Sequence, residues 1–548
     1  MAISDFRQKV ILPRQFLRMC RRRLFKKKLA DSSGTELTGG RLLAQVLAMR
    51  RLLDREALEK DEKHVAVLLP PSVPAVLVNA ALPLLGRVPV NLNYTTSSET
   101  LNSCLSQVGA RHVLTSRRFL SQMYLSIDAH LVFLEDLLRK ITWKDRAVAG
   151  AHAYLTPVAI LERWLGLLDL NSDDVLTIAF TAGSTGDPKG VMLSYRNIGS
   201  NVRAVEELFR IKDTDVLLGI LPFFHSFGFT GTLWTVLSLD PKGVYHFTPL
   251  DARKVGQLCL EHKVTILLTA PTFLRAYLRR CDKKQFRTLE VVIVSAEKLP
   301  LNLAHAFRDK FGIEPVEAYG STELSPAAAT NVPKDRLLHP ASRGAKEGTV
   351  GRVLPGSRAK VVDSDLGKDV GIDHEGLLLI AGPNVMLGYL NQPEKTAAVM
   401  RGEWYVTGDM ARIDSDGFIT ITDRASRFSK IGGEMVPHLK IEESLQKIVS
   451  AGAPTERDEP TLAVTAVPDC QRGERLVVIH EPLPLPAETV IERLSAQGLP
   501  NLWIPSRDSF LEVPKLPMLG AGKLDLKALK QLAVARFGPG HDRSAGNG

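Results

Sequence analysis

Leu176–Ser194, LTIAFTAGSTGDPKGVMLS, is the stretch on which the reading of the whole chain turns. The apolar run Val175–Phe180 predicts a buried strand, and it feeds a loop of Gly, Ser, Thr and a single Lys. Gly183, Gly186 and Gly190 permit positive φ and close backbone approach, so successive N–H groups can turn inward as an anion-binding nest. Thr181, Ser184 and Thr185 add hydroxyl donors, and Lys189 adds a point charge suited to phosphate. Asp187-Pro188 marks a turn. A Walker-type loop needs Gly-Lys-Ser/Thr, whereas here Pro188 precedes Lys189 and Gly190 follows it, so this is not that loop. Taken alone, a short glycine-rich loop is more often a plain turn, because short motifs recur by chance.

At 548 residues the chain is long enough for several domains, and 45% hydrophobic with 24% charged residues is ordinary for a globular enzyme. Five cysteines, Cys20, Cys104, Cys259, Cys281 and Cys470, are scattered without metal-ligand spacing. That predicts a reducing, cytoplasmic setting and no disulfide framework. No uncharged apolar run reaches membrane-spanning length, and no apolar N-terminal core precedes a small-residue cleavage site, so neither a span nor a secretory signal is expected. The net charge of +10 is concentrated: Arg14, Arg18, Arg21, Arg22, Arg23, Lys26, Lys27 and Lys28 supply eight charges and leave +2 for the rest. Phe16, Leu17, Cys20 and Leu24 fall near one side of a helical projection of this segment. A basic amphipathic helix is a pattern for membrane-surface or nucleic-acid contact, and a solvated tail fits it as well.

From His64 the pattern alternates between strand and helix: HVAVLL, VPAVLVNAALPLL, RVPVNL, SSETLNSCLSQVGA, then ARHVLTS. It resumes beyond the loop with TDVLLGIL, GTLWTVLSL, GVYHF, ARKVGQLCLEH, VTILLTA, PTFLRAYLRR, EVVIVS, LPLNLAHAFRDKFG and EPVEAYG. Alternation of this kind predicts an α/β architecture of mostly parallel sheets with flanking helices. The stretch from about Phe119 to Leu170 reads as an irregular connection. After Glu347, short strand-like pieces separated by Gly, Pro and Asp predict a small β-rich subdomain, and past Asp423 the chain reads as a small, mobile α+β lobe. The expected divisions are a basic N-terminal segment over 1–35, an α/β core over 36–347, the β-rich subdomain over 348–422, a C-terminal lobe over 423–536 and a tail over 537–548.

Several loops punctuate this frame: Leu221–Gly228 (LPFFHSFG), Val294–Lys298 (VSAEK), Tyr319–Glu323 (YGSTE), Tyr405–Asp409 (YVTGD), Asp423-Arg424, Lys430–Glu434 (KIGGE) and Pro517–Lys523 (PMLGAGK). Each alone reads as a turn or a solvated loop. In this order, with TAGSTGDPKG, the chain resembles the AMP-forming acyl- and aryl-ligase superfamily of fatty-acid ligases, luciferases and adenylation domains. The segments NYTTSSETLNSCLSQVGARHVLTSRRFL, LPFFHSFG, RFSKIGGEM and LPMLGAGK are most similar to its acyl–acyl-carrier-protein synthetases, the ligase half of bifunctional lysophospholipid-recycling enzymes. The acyltransferase half of those enzymes would precede the ligase, and the short N-terminal segment predicts a stand-alone ligase instead.

The resemblance implies ATP and Mg²⁺. It places the phosphates on Thr181, Gly183, Ser184, Thr185, Gly186 and Lys189, and adenine against Ser295, Ala296, Glu297, Tyr319 and Gly320. Thr322 would meet the α-phosphate, Glu323 and Thr185 would hold Mg²⁺, and Asp409 and Arg424 would contact the ribose. His225 would stand beside the substrate carboxylate, and Lys523 would carry the adenylation step. Ser426 falls at the hinge position, and Gly432, Gly433 and Glu434 would guide the thiol acceptor. Amine-activating members carry an acid just after the LPFFHSFG motif, and none occurs between Pro222 and Leu239, so the implied substrate is a fatty or other amine-free carboxylic acid. The implied acceptor is the thiol of acyl carrier protein or of coenzyme A, with no nucleic-acid partner. For a lipid-handling enzyme the basic N-terminal helix would meet the anionic inner face of a membrane. Three departures stand out: Ala182 where Ser is usual, Asp423 where Gly is usual, and Ser426 at the hinge, where Asp or Lys is usual. They leave open a non-catalytic nucleotide- or acyl-binding protein.

Overall fold

The apolar runs become parallel strands in the computed structural model, which describes residues 10–181, 188–338, 344–363, 366–424, 427–431, 434–450, 460–469, 473–497, 499–518 and 524–538. The chain divides into two compact units. One comprises Met1–His374, Leu379–Thr407 and Arg412–Thr420; the other comprises Glu375–Leu378, Gly408–Ala411 and Ile421–Gly548.

The first unit is built on a nine-stranded sheet ordered Arg352–Val353, Ala327–Thr330, Val316–Gly320, Val291–Val294, Ile266–Thr269, Val216–Gly219, Lys242–Tyr245, Lys27–Asp31, Glu36–Thr38. The six strands from Val316–Gly320 to Lys27–Asp31 are parallel, and antiparallel strands finish both edges. A second, all-parallel sheet orders Val88–Asn91, His64–Leu68, His112–Thr115 and His130–Phe133. These strands carry unbroken apolar runs because helices cover both faces of such sheets: Val65, Ala66, Val67 and Leu68 are all fully buried. Val255 and Leu258 of helix Ala252–His262, Leu274 and Tyr277 of Pro271–Arg280, and Phe307 of Leu301–Phe311 close on Val244, Leu267, Val292 and Val294. Asp215 and Arg336, both buried, pair through two 2.8 Å hydrogen bonds, and Glu290 adds a second carboxylate to the guanidinium at 2.8 Å.

Two sequence expectations are corrected here. The basic N-terminal segment contributes to the core of this unit. In helix Leu12–Arg22 the apolar side, Phe16, Leu17 and Cys20, is buried in protein, so these side chains do not face a bilayer. Arg14 and Arg18 both pair with buried Glu162 (2.9 and 2.8 Å), and Arg21 donates to the carbonyls of Ala153 and Thr156. Lys28 is fully buried with its ammonium on the carbonyls of Leu239 and Pro241, and desolvation lowers its pKa to about 7. The second correction concerns Phe119–Leu170, which is largely helical: Leu134–Arg139, Trp143–Tyr154 and Val158–Trp164. Thr142 and Asp145 form a reciprocal cap on Trp143–Tyr154, and that helix packs against Gly39–Glu56.

The second unit holds a sheet ordered Glu434–Pro437, Phe428–Ile431, Gly473–His480, Leu462–Asp469, with Phe510–Glu512 paired to Gly473–His480. Alternate strand residues face opposite helices. Val464, Leu476 and Val478 meet helices His438–Ser450 and Ala487–Ser495, while Val467, Val477 and Ile479 meet Leu526–Phe537. Among the described residues no helix is long and apolar enough to cross a membrane. Cys20, Cys104, Cys259 and Cys281 are free thiols in the interior.

Candidate active site

The glycine-rich stretch sits between two antiparallel strands, Val175–Thr181 and Lys189–Ser194, whose register sets Thr181 opposite Lys189 and Phe180 opposite Gly190. Residues 182–187, including Gly183, Ser184, Thr185 and Gly186, lie outside the described residues. So do Ser426, Gly432, Gly433, the Glu434 side chain and Lys523. What can be built is therefore the frame on either side of the phosphate loop. Thr181 Oγ1 is buried and has no hydrogen-bond partner among the described residues. Gly190 packs where a Cβ would lie 3.1 Å from Ile178 and 3.3 Å from Leu390, so close packing rather than a positive φ favours a small residue there.

Lys189 Nζ lies 3.4 Å from the hydroxyl of Tyr389 and over its ring. That hydroxyl donates to Glu323 Oε1 at 2.9 Å. Strand Gly388–Tyr389 pairs with Lys189–Ser194, Tyr389 opposite Val191, which fixes the ring between the two signatures. Burial first, then the Glu323 carboxylate and the Tyr405 hydroxyl, push the Tyr389 phenol upward, so it stays a neutral donor. Residues from three separate signatures, Lys189, Glu323 and Tyr405, therefore meet on Tyr389. Sequence reading missed this residue, because a Tyr in a Gly-Tyr-Leu turn carries no signal of its own.

Thr322 and Glu323 lie in the short turn Thr322–Leu324 after strand Val316–Gly320. Gly320 is obligatory: a Cβ there would sit 1.9 Å from the carbonyl of Pro326. Ser226 Oγ donates to Thr322 Oγ1 at 3.4 Å, which joins the LPFFHSFG motif to the second signature. His225 itself is exposed, with its ring 4.4 Å from that of Phe224, so it is not a core histidine. The following residues, Phe229–Trp234, form a π-helical turn. Glu323 is 8% exposed, and Ser321 Oγ is buried without a partner among the described residues. The Glu323 carboxylate beside the Ser321 hydroxyl offers hard oxygens, a donor chemistry that fits Mg²⁺.

Ser295 donates its N–H to the carbonyl of Thr269, and Ala296 adopts φ 74°, a left-handed turn that strains a residue bearing a Cβ. Glu297 accepts from the Thr272 hydroxyl at 3.0 Å. Glu317, in the strand that carries Tyr319, accepts from the N–H of Leu299 and so ties that strand to the Ser295–Glu297 loop. Burial lifts the Glu317 carboxyl from 4.5 to about 7, against the pull of the Leu299 N–H and Lys298. The folded chain thus holds this proton to about pH 7 while the unfolded chain releases it near 4.5, and stability falls as pH rises through that window. Glu317→Gln is expected to leave the melting temperature unchanged at pH 4.5 and to stabilise at pH 8, by on the order of 1–3 kcal/mol. Equal shifts at the two pH values would contradict that assignment.

An apolar cleft is lined by Val205, Phe227, Gly231, Leu268, Ile293 and Ala327, among others. Its wall includes the residues that follow His225 and the strand leading to Tyr319. A Cβ on Gly231 would fall 2.8 Å from Leu268, so glycine keeps this part of the wall thin.

In the second unit, Asp409 Oδ1 lies 3.4 Å from Arg424 Nε, so the two residues read as ribose contacts are paired with each other. Asp423 has a purpose of its own. It is buried, and its carboxylate accepts the N–H groups of Arg424 at 2.7 Å and Leu439 at 3.0 Å, the latter in the first turn of helix His438–Ser450. The departure from Gly thus secures the start of a helix, an anion at its positive end. Met518 and Leu524 form a bridge that ties together the ends of the Lys523 loop, and Ile431 pairs with Glu434 across the Gly432-Gly433 segment.

Comparison with known proteins agrees with this geometry. The model of the AMP-binding enzyme family matches residues 16–390. A long-chain-fatty-acid–CoA ligase of Bacillus subtilis (strain 168) is 27% identical over 456 residues, 77% of this chain and 79% of its own length. A 3-[(3aS,4S,7aS)-7a-methyl-1,5-dioxo-octahydro-1H-inden-4-yl]propanoyl:CoA ligase of Rhodococcus jostii (strain RHA1) is 28% identical over 491 residues, 85% of this chain and 88% of its own. Among solved structures, ATP-bound MatB from Rhodopseudomonas palustris superposes with a TM-score of 0.74 at 24% identity, over 95% of this chain and 98% of that one. The o-succinylbenzoate CoA synthetase MenE of Bacillus subtilis, in complex with its acyl-adenylate intermediate, gives 0.75 at 22%, over 94% and 98%. At these identities the structures establish the shared adenylate-forming ligase fold, a large α/β lobe and a smaller C-terminal lobe. With its family model matched across well over half its length, the chain belongs to the AMP-binding enzymes, the superfamily of acyl- and aryl-CoA ligases that work through an acyl-AMP.

Proposed function

We propose that this protein activates a long-chain, amine-free carboxylic acid with ATP and passes the acyl group to a phosphopantetheine thiol. The observation that carries the substrate class is the cleft, whose wall is largely apolar and begins beside the His225 motif. A carboxylate at Thr322 with its chain in that cleft buries apolar surface and needs no counter-charge along the wall. The lack of any acid between Pro222 and Leu239 fits a substrate without an α-amine.

In the first half-reaction the carboxylate oxygen attacks the α-phosphorus of ATP, the α–β phosphoanhydride bond breaks, and pyrophosphate leaves. No general base is needed, because the acid is already ionised at neutral pH. Thr322, held by Ser226, orients the α-phosphate; Lys189 and the hydroxyls of Thr181, Ser184 and Thr185 receive the β- and γ-phosphates. Mg²⁺, held by Glu323 and Thr185, would supply neutralisation of phosphate charge. In the second half-reaction a thiolate attacks the acyl carbon and AMP leaves. The C-terminal lobe, turning at Ser426, would exchange the Lys523 loop for the Gly432–Glu434 loop between the two steps.

Coenzyme A and acyl carrier protein share the phosphopantetheine arm. The relatives' names favour coenzyme A, and the segments that resemble acyl-carrier-protein synthetases favour the carrier. Palmitate-dependent exchange of labelled pyrophosphate into ATP is the decisive measurement, followed by thioester assays with each acceptor alone. Exchange that responds to palmitate but not to a short acid is expected. A folded preparation with no acid-dependent exchange overturns the reading in favour of a binding protein.

A further inference from the structure

Residues 137–168 take no part in the chemistry above, yet their surface has a consistent character. The stretch contains two acids, Asp145 and Glu162, and both are buried under arginines: Arg51 and Arg55 on the first, Arg14 and Arg18 on the second. Its bases, Arg139, Lys140, Lys144, Arg146 and Arg163, are all exposed. Arg139 faces Asp136 and Lys140 faces Glu56, whereas Arg146 and Arg163 have no ion pair among the described residues. Large apolar side chains stand in water between them: Trp143 is 74% exposed, Leu155 78% and Ile160 58%. Trp164 and Leu168 are about half exposed.

Several of these side chains, those from Leu155 to Trp164, are neighbours rather than isolated cases. Ile160 and Trp164 lie one turn apart on helix Val158–Trp164. Trp164 stacks on His152 at 4.5 Å, and His152 bonds Thr156 beside Leu155. Phe25, 80% exposed, extends the patch with its ring 6.2 Å from Tyr154. Single exposed apolar residues need no explanation; a cluster of Phe25, Leu155, Ile160 and the Trp164 indole, with unopposed cations on the same helices, does.

We infer that this face, formed by Phe25 and the helices over 143–168, seats the protein on an anionic lipid bilayer. Indole and phenyl rings settle at the headgroup level, aliphatic tips enter the acyl boundary, and Lys and Arg meet lipid phosphates. A soluble acidic protein would satisfy the cations but would not by itself call for Phe25, Leu155 and Ile160 standing in water. The contact lies apart from helix Leu12–Arg22, whose apolar side is already occupied.

Co-sedimentation of the full chain with phosphatidylcholine vesicles containing phosphatidylglycerol, against phosphatidylcholine alone, tests this. Binding is expected only with the anionic lipid and should weaken as salt rises. Arg146→Gln/Arg163→Gln should lower affinity about fivefold per charge. Leu155→Ser/Ile160→Ser should lower it about tenfold or more. Both double variants should keep the wild-type melting temperature and the turnover of a soluble acid. A monodisperse protein that ignores anionic vesicles overturns the inference, as does binding that neither double variant weakens. A concentration-dependent dimer abolished by Leu155→Ser/Ile160→Ser also overturns it and gives the face to a second copy.

Discussion

Glu323→Gln is expected to lower acid-dependent pyrophosphate exchange by about 10²–10³-fold at saturating ATP, with the protein still folded. The substitution is nearly isosteric, and the amide oxygen can still accept from the Tyr389 hydroxyl that now donates to Oε1 at 2.9 Å. What disappears is one negative charge at a site that is 8% exposed, where water cannot replace it. That charge has two uses: it would hold the divalent ion that neutralises the phosphates, and it anchors the tyrosine linking Lys189 to this turn. Tyr389→Phe separates them. It keeps the carboxylate and removes only the hydrogen bond, so a loss of about tenfold is expected, from a bond worth roughly 1–1.5 kcal/mol. If Glu323→Gln exchanged pyrophosphate at the wild-type rate, the carboxylate would be structural and the metal would have to be held elsewhere. Titrating Mg²⁺ gives a second readout, since a weakened metal site should need more Mg²⁺ for half-maximal rate.

Much of the fold could be read directly because parallel strands advertise themselves. Val65–Leu68, Ile266–Leu268 and Val291–Val294 are buried or nearly so on both faces, so each is an unbroken apolar run, and amphipathic helices separate them. The N-terminal helix was misplaced for an equally physical reason. An apolar stripe with arginines around it has the same spacing whether the stripe meets lipid or the protein's own interior. The deciding partner, Glu162, stands more than 140 residues along the chain. The 119–170 region hid its helices because three short ones, none longer than 12 residues, show too few turns for a period to emerge. At the site, signatures with a resemblance behind them could be found, and the structure joins Lys189, Glu323 and Thr322 to their neighbours as side chains. Tyr389 could not be found this way, since only the pairing of Gly388–Tyr389 with Lys189–Ser194 brings it there. Asp423 shows the converse: judged against glycine it read as a loss, yet its two backbone hydrogen bonds make it a cap.

Lys523→Ala is expected to separate the two half-reactions. Carboxylate and ATP are both anions, so their approach is opposed until cations offset the charge at the α-phosphate, and an ammonium delivered there acts only while that phosphate is being attacked. Removing it should cut pyrophosphate exchange about 10²–10³-fold. Supplied with preformed acyl-AMP, the same variant should still transfer the acyl group to the thiol within about twofold of wild type, because the thiolate attacks the acyl carbon rather than the phosphorus and, in the proposed cycle, the Lys523 loop has by then given way to the Gly432–Glu434 loop. A general loss of structure would impair both steps equally, so the ratio of the two rates, rather than either rate alone, carries the result. Lys523→Arg sharpens it further. It keeps the charge but replaces a compact ammonium with a larger planar group, and partial recovery of exchange would show that charge is the main requirement. Exchange that persists in Lys523→Ala would shift the burden to Lys189, whose ammonium already lies 3.4 Å from the Tyr389 hydroxyl that bonds Glu323. The glycine-rich loop would then take part in the chemical step as well as in holding the nucleotide.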